Sequence, residues 1–355
     1  MYLDEYEKFT ELDRENMLAQ IEGLPEQLLK ARELGFDQDL PAWSGVRQVL
    51  VAGMGGSAIG ADLVAAYAAP ESKAPLVVHR DYGLPAWVND AETLVIASSH
   101  SGNTEETLSA FNAAIENGCK CLAITTGGKL AQAASSAGAP VWRFEHHGQP
   151  RAAVGYSFGL LLAALVRLGL LADPLEDLRA AVQAIQTQQK ELRADRPTTR
   201  NPAKRMAGQL MGRWVTVIGS GILAPVARRW KGQISEVAKA WAQFEFLPEA
   251  NHNTLAGISN PEELFGKAIT LFLRAPSDHG RNRLRIELTQ KSFMQEGLNT
   301  DFVDARGETR LSHLWTCLHF GDYVAYYLAM SYDVDPTPVT SIENFKREMR
   351  AAGED

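Results

Sequence analysis

The sequence predicts an α/β protein made of two doubly wound parallel-sheet domains, each an α/β/α sandwich. Three observations carry that expectation. Five short apolar runs, near residues 47–52, 76–79, 93–98, 119–124 and 139–144, alternate with helical patterns, the rhythm of a parallel sheet covered on both faces. A helical stretch without strand signals follows over 157–194. The strand-then-glycine pattern then returns, with Trp214-Val215-Thr216-Val217-Ile218-Gly219-Ser220-Gly221 repeating the order of residues 49–57. The expected division is an N-terminal domain over 1–170, a helical linker region over 171–204 and a C-terminal domain over 205–355.

Within the first domain, helices are expected over 58–68 and 104–117. Thr104-Glu105-Glu106 supplies a hydroxyl cap with acids in the first turn, and Gly118 suits a helix C-terminus. The segment 152–166 is nearly uncharged but short and interrupted by Gly155 and Gly159; it reads as a buried helix and not as a membrane span. Residues 175–192 are amphipathic. Arg196-Pro197-Thr198-Thr199-Arg200-Asn201-Pro202, with two prolines, is the candidate inter-domain linker. Beyond it, strands are expected over 267–273 and 300–303, helices over 281–295 and 311–330, and a last short helix over 342–349.

Composition narrows the function classes. The chain has 355 residues, 45% hydrophobic and 22% charged, in the range of soluble globular proteins. A net charge of −8 argues against general nucleic-acid binding. The acidic N-terminus has no apolar core of a secretory signal, and the three cysteines (Cys119, Cys121, Cys317) have no metal-ligand spacing. Reduced thiols and a cytoplasmic location are expected.

Two loops point to an anion. Gly53-Met54-Gly55-Gly56-Ser57 and Ser98-Ser99-His100-Ser101-Gly102-Asn103-Thr104 each follow an apolar run and enter a helix. Glycines let backbone N–H groups turn toward an anion, and a helix N-terminus favours negative charge. Serine and threonine hydroxyls add rotatable donors. Either loop alone is also an ordinary turn of a doubly wound fold; the two together favour a phosphate monoester. A dinucleotide is disfavoured, since no acid stands at a ribose-binding position.

Glu236 in Ser235-Glu236-Val237-Ala238-Lys239 and His252 in Leu247-Pro248-Glu249-Ala250-Asn251-His252-Asn253 are the residue types that move protons on a carbohydrate. They equally suit a solvated helix face and a surface loop. Arg151, in Gln149-Pro150-Arg151-Ala152, stands at the entry to the buried-looking helix, where it could stabilise an oxyanion or simply cap the helix in a salt bridge. His146-His147, His313 and His319 lack supporting acids or cysteines, so no metal site is expected. Trp214, Trp230, Trp241 and Trp315 are assigned to packing.

Together these segments, with Cys317-x-x-x-Gly321-Asp322-Tyr323, resemble the bifunctional phosphoglucose/phosphomannose isomerases, a family with two sugar isomerase (SIS) domains. The resemblance runs from Met17 to about Met349. It implies an aldose–ketose isomerase of glucose 6-phosphate, mannose 6-phosphate and fructose 6-phosphate, working without metal or other cofactor. It further implies that Gly56, Ser57, Ser99, Ser101 and Thr104 hold the phosphate. Glu236 would be the base, Arg151 the enediolate stabiliser and His252 the ring opener, contributed by the partner in a homodimer. Lys346 fits the family's C-terminal lysine near the ring oxygen. Two departures stand out: His100 where the family usually has tyrosine, and Ala58 for a common glycine. The residue that admits the mannose epimer falls around Val339-Thr340. A non-catalytic sugar-phosphate sensor on the same domains would need the serine loops but not Glu236, His252 or Arg151.

Overall fold

The computed structural model describes residues 2–353. Three N-terminal helices, α1 (Phe9–Leu12), α2 (Met17–Glu22) and α3 (Leu24–Asp37), open the chain. Strands β1 (Gln48–Ala52), β2 (Leu76–His79), β3 (Thr93–Ser98), β4 (Lys120–Thr125) and β5 (Val141–Arg143) follow, interleaved with α4 (Gly55–Ala68), α5 (Glu105–Glu116) and α6 (Gly128–Ser136). All pairings are parallel, in the order β2-β1-β3-β4-β5. In this order the connection reverses direction between β1 and β3, and ligands bind outside the carboxyl ends of strands at such a switch point.

The helical stretch resolves into α7 (Val154–Arg167) and α8 (Leu175–Leu192), with α9 (Pro202–Leu210) beyond the proline-rich segment. Asn201 caps α9, its side chain accepting from Ala203 and Lys204 N–H. A second sheet then combines β6 (Trp214–Ser220), β7 (Ala242–Leu247), β8 (Ala268–Arg274) and β9 (Asn299–Asp304) with α10 (Ala224–Glu236) and α11 (Gly280–Gln295). Its parallel order, β7-β6-β8-β9, repeats the winding of the first sheet without a fifth strand among the described residues. The repeat extends to backbone angles: Gly55 and Gly221, each two residues after a glycine (Gly53 and Gly219), both have φ +50°. The chain ends in α12 (Arg310–Ser331), buried along nearly its whole length, and α13 (Thr340–Ala352), which has no buried residue.

Period-2 alternation divides each sheet into two faces. Val49, Val51, Leu94 and Ile96 face α4 and α7, whereas Leu50, Ala52, Val95 and Ala97 pack beneath α5 and α6. The first cluster does not stop at the first sheet. It continues through Trp230 of α10 and Trp315 and Tyr323 of α12 to Val215, Val217, Leu271 and Leu273. One core therefore joins the sheets and holds their loops in a common frame.

Three expectations change. Helix α4 begins at Gly55, so the glycines and Ser57 form its first turn. Strand β7 has no counterpart in the sequence pattern: it is an edge strand with exposed Gln243 and Phe246. Trp230 and Trp315 are core, but Trp214 and Trp241 are 37% and 74% exposed and stack on each other at 4.8 Å between centroids on the surface.

Candidate active site

The two hydroxyl-bearing loops meet at the switch point. Ser57 Oγ, in the first turn of α4, accepts from the His100 N–H at 3.3 Å. Ser99 Oγ pairs with Thr104 Oγ1 at 3.0 Å and accepts from Gly102 N–H at 3.1 Å. Ser57 and Ser99 are buried, while Ser101 is exposed. Two glycines are required by close approach. A Cβ on Gly56 would lie 2.6 Å from the Pro150 carbonyl oxygen. Gly102 has φ +65°, and its Cβ would overlap the Gly127 carbonyl. The first of these contacts presses the turn after β1 against the residue preceding Arg151.

Arg151 lies in a 3-10 turn (Pro150–Ala152) and is 2% exposed. Its Nη2 donates to the carbonyls of Pro336, at 2.8 Å, and Thr337. Its Nη1 stands 3.6 Å from Oε2 of Glu236, the last residue of α10. Two residues far apart in sequence thus become a facing pair across the seam of the two sheets. Burial lowers the Arg151 pKa, with the Glu236 charge opposing. Behind it, Arg229 donates to the Arg151 carbonyl at 2.7 Å and forms a buried two-pronged ion pair with Asp322, at 3.2 and 3.0 Å. Such a pair fixes geometry because either charge alone would be stranded in low dielectric.

Lys239 closes the end of α10. It has φ +54°, and its Nζ donates to the Glu236 and Val237 carbonyls at 2.8 and 3.3 Å. Desolvation, then the Arg151 charge, brings its pKa down to about 8. A cation here satisfies orphan carbonyls at the negative end of the helix.

A cavity of about 480 Å³ runs from Gly55 and Gly56 to Glu236, past Arg80, Arg228 and Gln233. That is the size of a small-molecule site. Arg80 and Arg228 share Asp62 at 2.5 and 2.9 Å. Among the described residues, Gln233 Oε1 and Arg151 Nε are buried without hydrogen-bond partners. Sequence reasoning missed Gln233, although its spacing of three from Glu236 puts it on the same helix face. It also missed Arg229 and the carbonyls of Pro336 and Thr337, which have no local signature.

The remaining candidates stand apart from this cavity. Ser57, Ser99, Ser101 and Thr104 form their own cluster and do not line it. His252 is exposed on a 3-10 turn (Glu249–His252) after β7, and Lys346 is exposed on α13. No group of three or more His, Cys, Asp or Glu among the described residues could hold a metal ion.

Residues 199–349 match the model for the bacterial phospho-glucose isomerase C-terminal SIS domain. The chain is 39% identical to the bifunctional phosphoglucose/phosphomannose isomerase of Caldicellulosiruptor bescii over 94% of this chain and 98% of the relative. It is 35% identical to that of Aquifex aeolicus over 88% and 92%. The fold is also that of a hypothetical protein from Thermus thermophilus, with TM-score 0.72 and 17% identity over 99% of this chain and 96% of that one. With near-complete coverage of a relative at this identity, the chain belongs to the bifunctional phosphoglucose/phosphomannose isomerase family.

Proposed function

We propose that this enzyme interconverts fructose 6-phosphate with glucose 6-phosphate and mannose 6-phosphate through a cis-enediolate. The observation that carries the proposal is the Arg151–Glu236 pair, 3.6 Å apart at the seam, with the phosphate loop packed on Pro150 beside it. A carboxylate and a guanidinium facing each other are the base and the oxyanion stabiliser that enediolate chemistry needs.

Gly56, Ser57, Ser99, Ser101 and Thr104 anchor the phosphate. Anchoring the far end of the sugar places C1 and C2 at the base, converting remote binding into orientation. Glu236 removes the proton from one carbon and returns it to the other. Arg151 stabilises the enediolate oxygen that forms between. His252 assists ring opening from the partner subunit of a homodimer, a role that suits its exposure and its place outside the cavity lining of its own chain. Lys346 serves the ring oxygen when α13 is brought to the site. The oxidation of one carbon and the reduction of its neighbour balance within the sugar through the enediolate, so the scheme invokes no cofactor. In this scheme residues 1–170 hold the phosphate, 205–355 supply the base, and 171–204 join them. A cytoplasmic location suits three free thiols.

The test is a coupled assay starting from fructose 6-phosphate, with glucose 6-phosphate and mannose 6-phosphate scored separately. Both products are expected. Absence of both, from folded protein, would overturn the assignment.

A further inference from the structure

His100 lies inside the phosphate loop, and its surroundings give it a task. Its backbone is fixed: the N–H donates to Ser57 Oγ, and the carbonyl accepts from Thr126 Oγ1 at 2.7 Å and Thr126 N–H at 3.1 Å. Its side chain meets a second histidine. Nε2 lies 3.0 Å from Nδ1 of His146, in the connection between β5 and α7. The two rings meet edge to face at 5.2 Å. They sit in an aromatic group with Phe144 and Tyr156, themselves stacked at 5.1 Å.

The connection that carries His146 leads directly to Arg151. The loop that carries His100 also carries the phosphate-binding hydroxyls. The imidazole pair therefore spans the two segments whose relative position decides where the enediolate oxygen falls. Burial brings the His100 pKa down to about 4 and also lowers that of His146. At neutral pH both rings are neutral, so one serves as donor and the other as acceptor of a single N–H···N bond. Such a bond is directional, and the enclosing aromatic rings hold both partners in place.

We propose that His100 and His146 act as paired positioning residues that lock the phosphate loop to the Arg151 segment, setting the distance between bound phosphate and enediolate stabiliser. This rests on the isomerase reading above. A lock of this kind serves the transition state more than phosphate binding, because Arg151 acts on charge that develops only as the proton leaves.

The experiment compares His100→Phe, His146→Phe and the double variant, using kcat and KM for fructose 6-phosphate and the inhibition constant of inorganic phosphate. Each single variant is expected to lose about tenfold in kcat, the scale of a small misplacement, with phosphate inhibition nearly unchanged. The double variant is expected to be no worse than either single one, since both remove the same bond. His100→Gln, which keeps a hydrogen-bonding group, is expected to recover most of the loss. Additive losses in the double variant, or a rise in KM and phosphate inhibition constant at constant kcat, would overturn the proposal. Where a phenylalanine variant does not fold, His100→Gln decides: a loss of about tenfold or more in its kcat counts against the lock. Ring 15N NMR of wild-type protein supplies an independent readout. The two histidines should respond together to inorganic phosphate, and an independent response contradicts the pairing. A wild-type enzyme without turnover would sink the isomerase reading alone.

Discussion

Glu236 and Arg151 illustrate how far single residues can be read. Each is a candidate from its type and local setting, and each has an equal structural alternative, as a helix-face acid or as a salt-bridged arginine at a helix terminus. Their meeting at 3.6 Å depends on two sheets sharing one core, and it is the contact on which the proposed roles rest. Gly56 was legible as a glycine of the turn after β1, but its contact with the Pro150 carbonyl was not, since those segments are distant in sequence. Gly56→Ala is expected to displace Pro150 and Arg151 from the loop. Its kcat should fall about tenfold or more, the cost of misplacing an oxyanion donor. Steady-state kinetics on the variant checks this, and wild-type kcat would show that the contact does not govern Arg151.

At the level of elements, long periodic patterns transferred well and short irregular ones did not. Strands β1, β3 and β4 follow continuous apolar runs, as buried central strands do. β7 escaped because an edge strand half in solvent mixes exposed and buried side chains, and its polar flank read as a reaction segment. The N-terminal helices escaped because their apolar positions are spent on α7 and α12. Helix α12 carries the sequence's Gly321-Asp322-Tyr323 motif for a packing reason. A Cβ on Gly321 would lie 2.3 Å from Nε1 of Trp230, which donates to the Cys317 carbonyl at 2.9 Å. Gly321→Ala should force α12 from α10 and cost about 3 kcal/mol, the upper range for overpacking against a rigid ring. Urea denaturation measures it, and a change near zero would mean the indole can move. Because Asp322 is the next residue, the Arg229 support of Arg151 should loosen as well.

For the whole molecule, the shared core makes stability and site geometry one property, and a buried histidine within it ties that stability to pH. His319 is fully buried in α12, its Nε2 lying 2.9 Å from the Ile21 carbonyl oxygen. Desolvation brings its pKa from 6.5 down to about 4. The unfolded chain takes up this proton at the ordinary histidine pKa and the folded one only near the lowered value, so stability falls as pH drops through that window. Asp278, raised by burial from 3.8 to about 6, works in the opposite sense, since its stabilisation is lost as pH rises from 3.8 through 6. His319→Gln should remove up to one proton from the acid slope, about 1.4 kcal/mol per pH unit. Urea midpoints between about pH 4 and 7 would show it as a shallower decline, and an unchanged slope would contradict it. The two-domain architecture was legible because the strand–glycine order repeats. The continuous core between the sheets was not, since it is made by faces of α10 and α12 whose partners lie far away in sequence.

The central claim is that Glu236 carries the proton between C1 and C2. Its most direct test is Glu236→Gln, assayed for turnover of fructose 6-phosphate and for inhibition or binding by inorganic phosphate. The account predicts a kcat loss of about a hundredfold or more, within the range for removing a positioned general base, with phosphate affinity retained. Near wild-type turnover in that variant would contradict it.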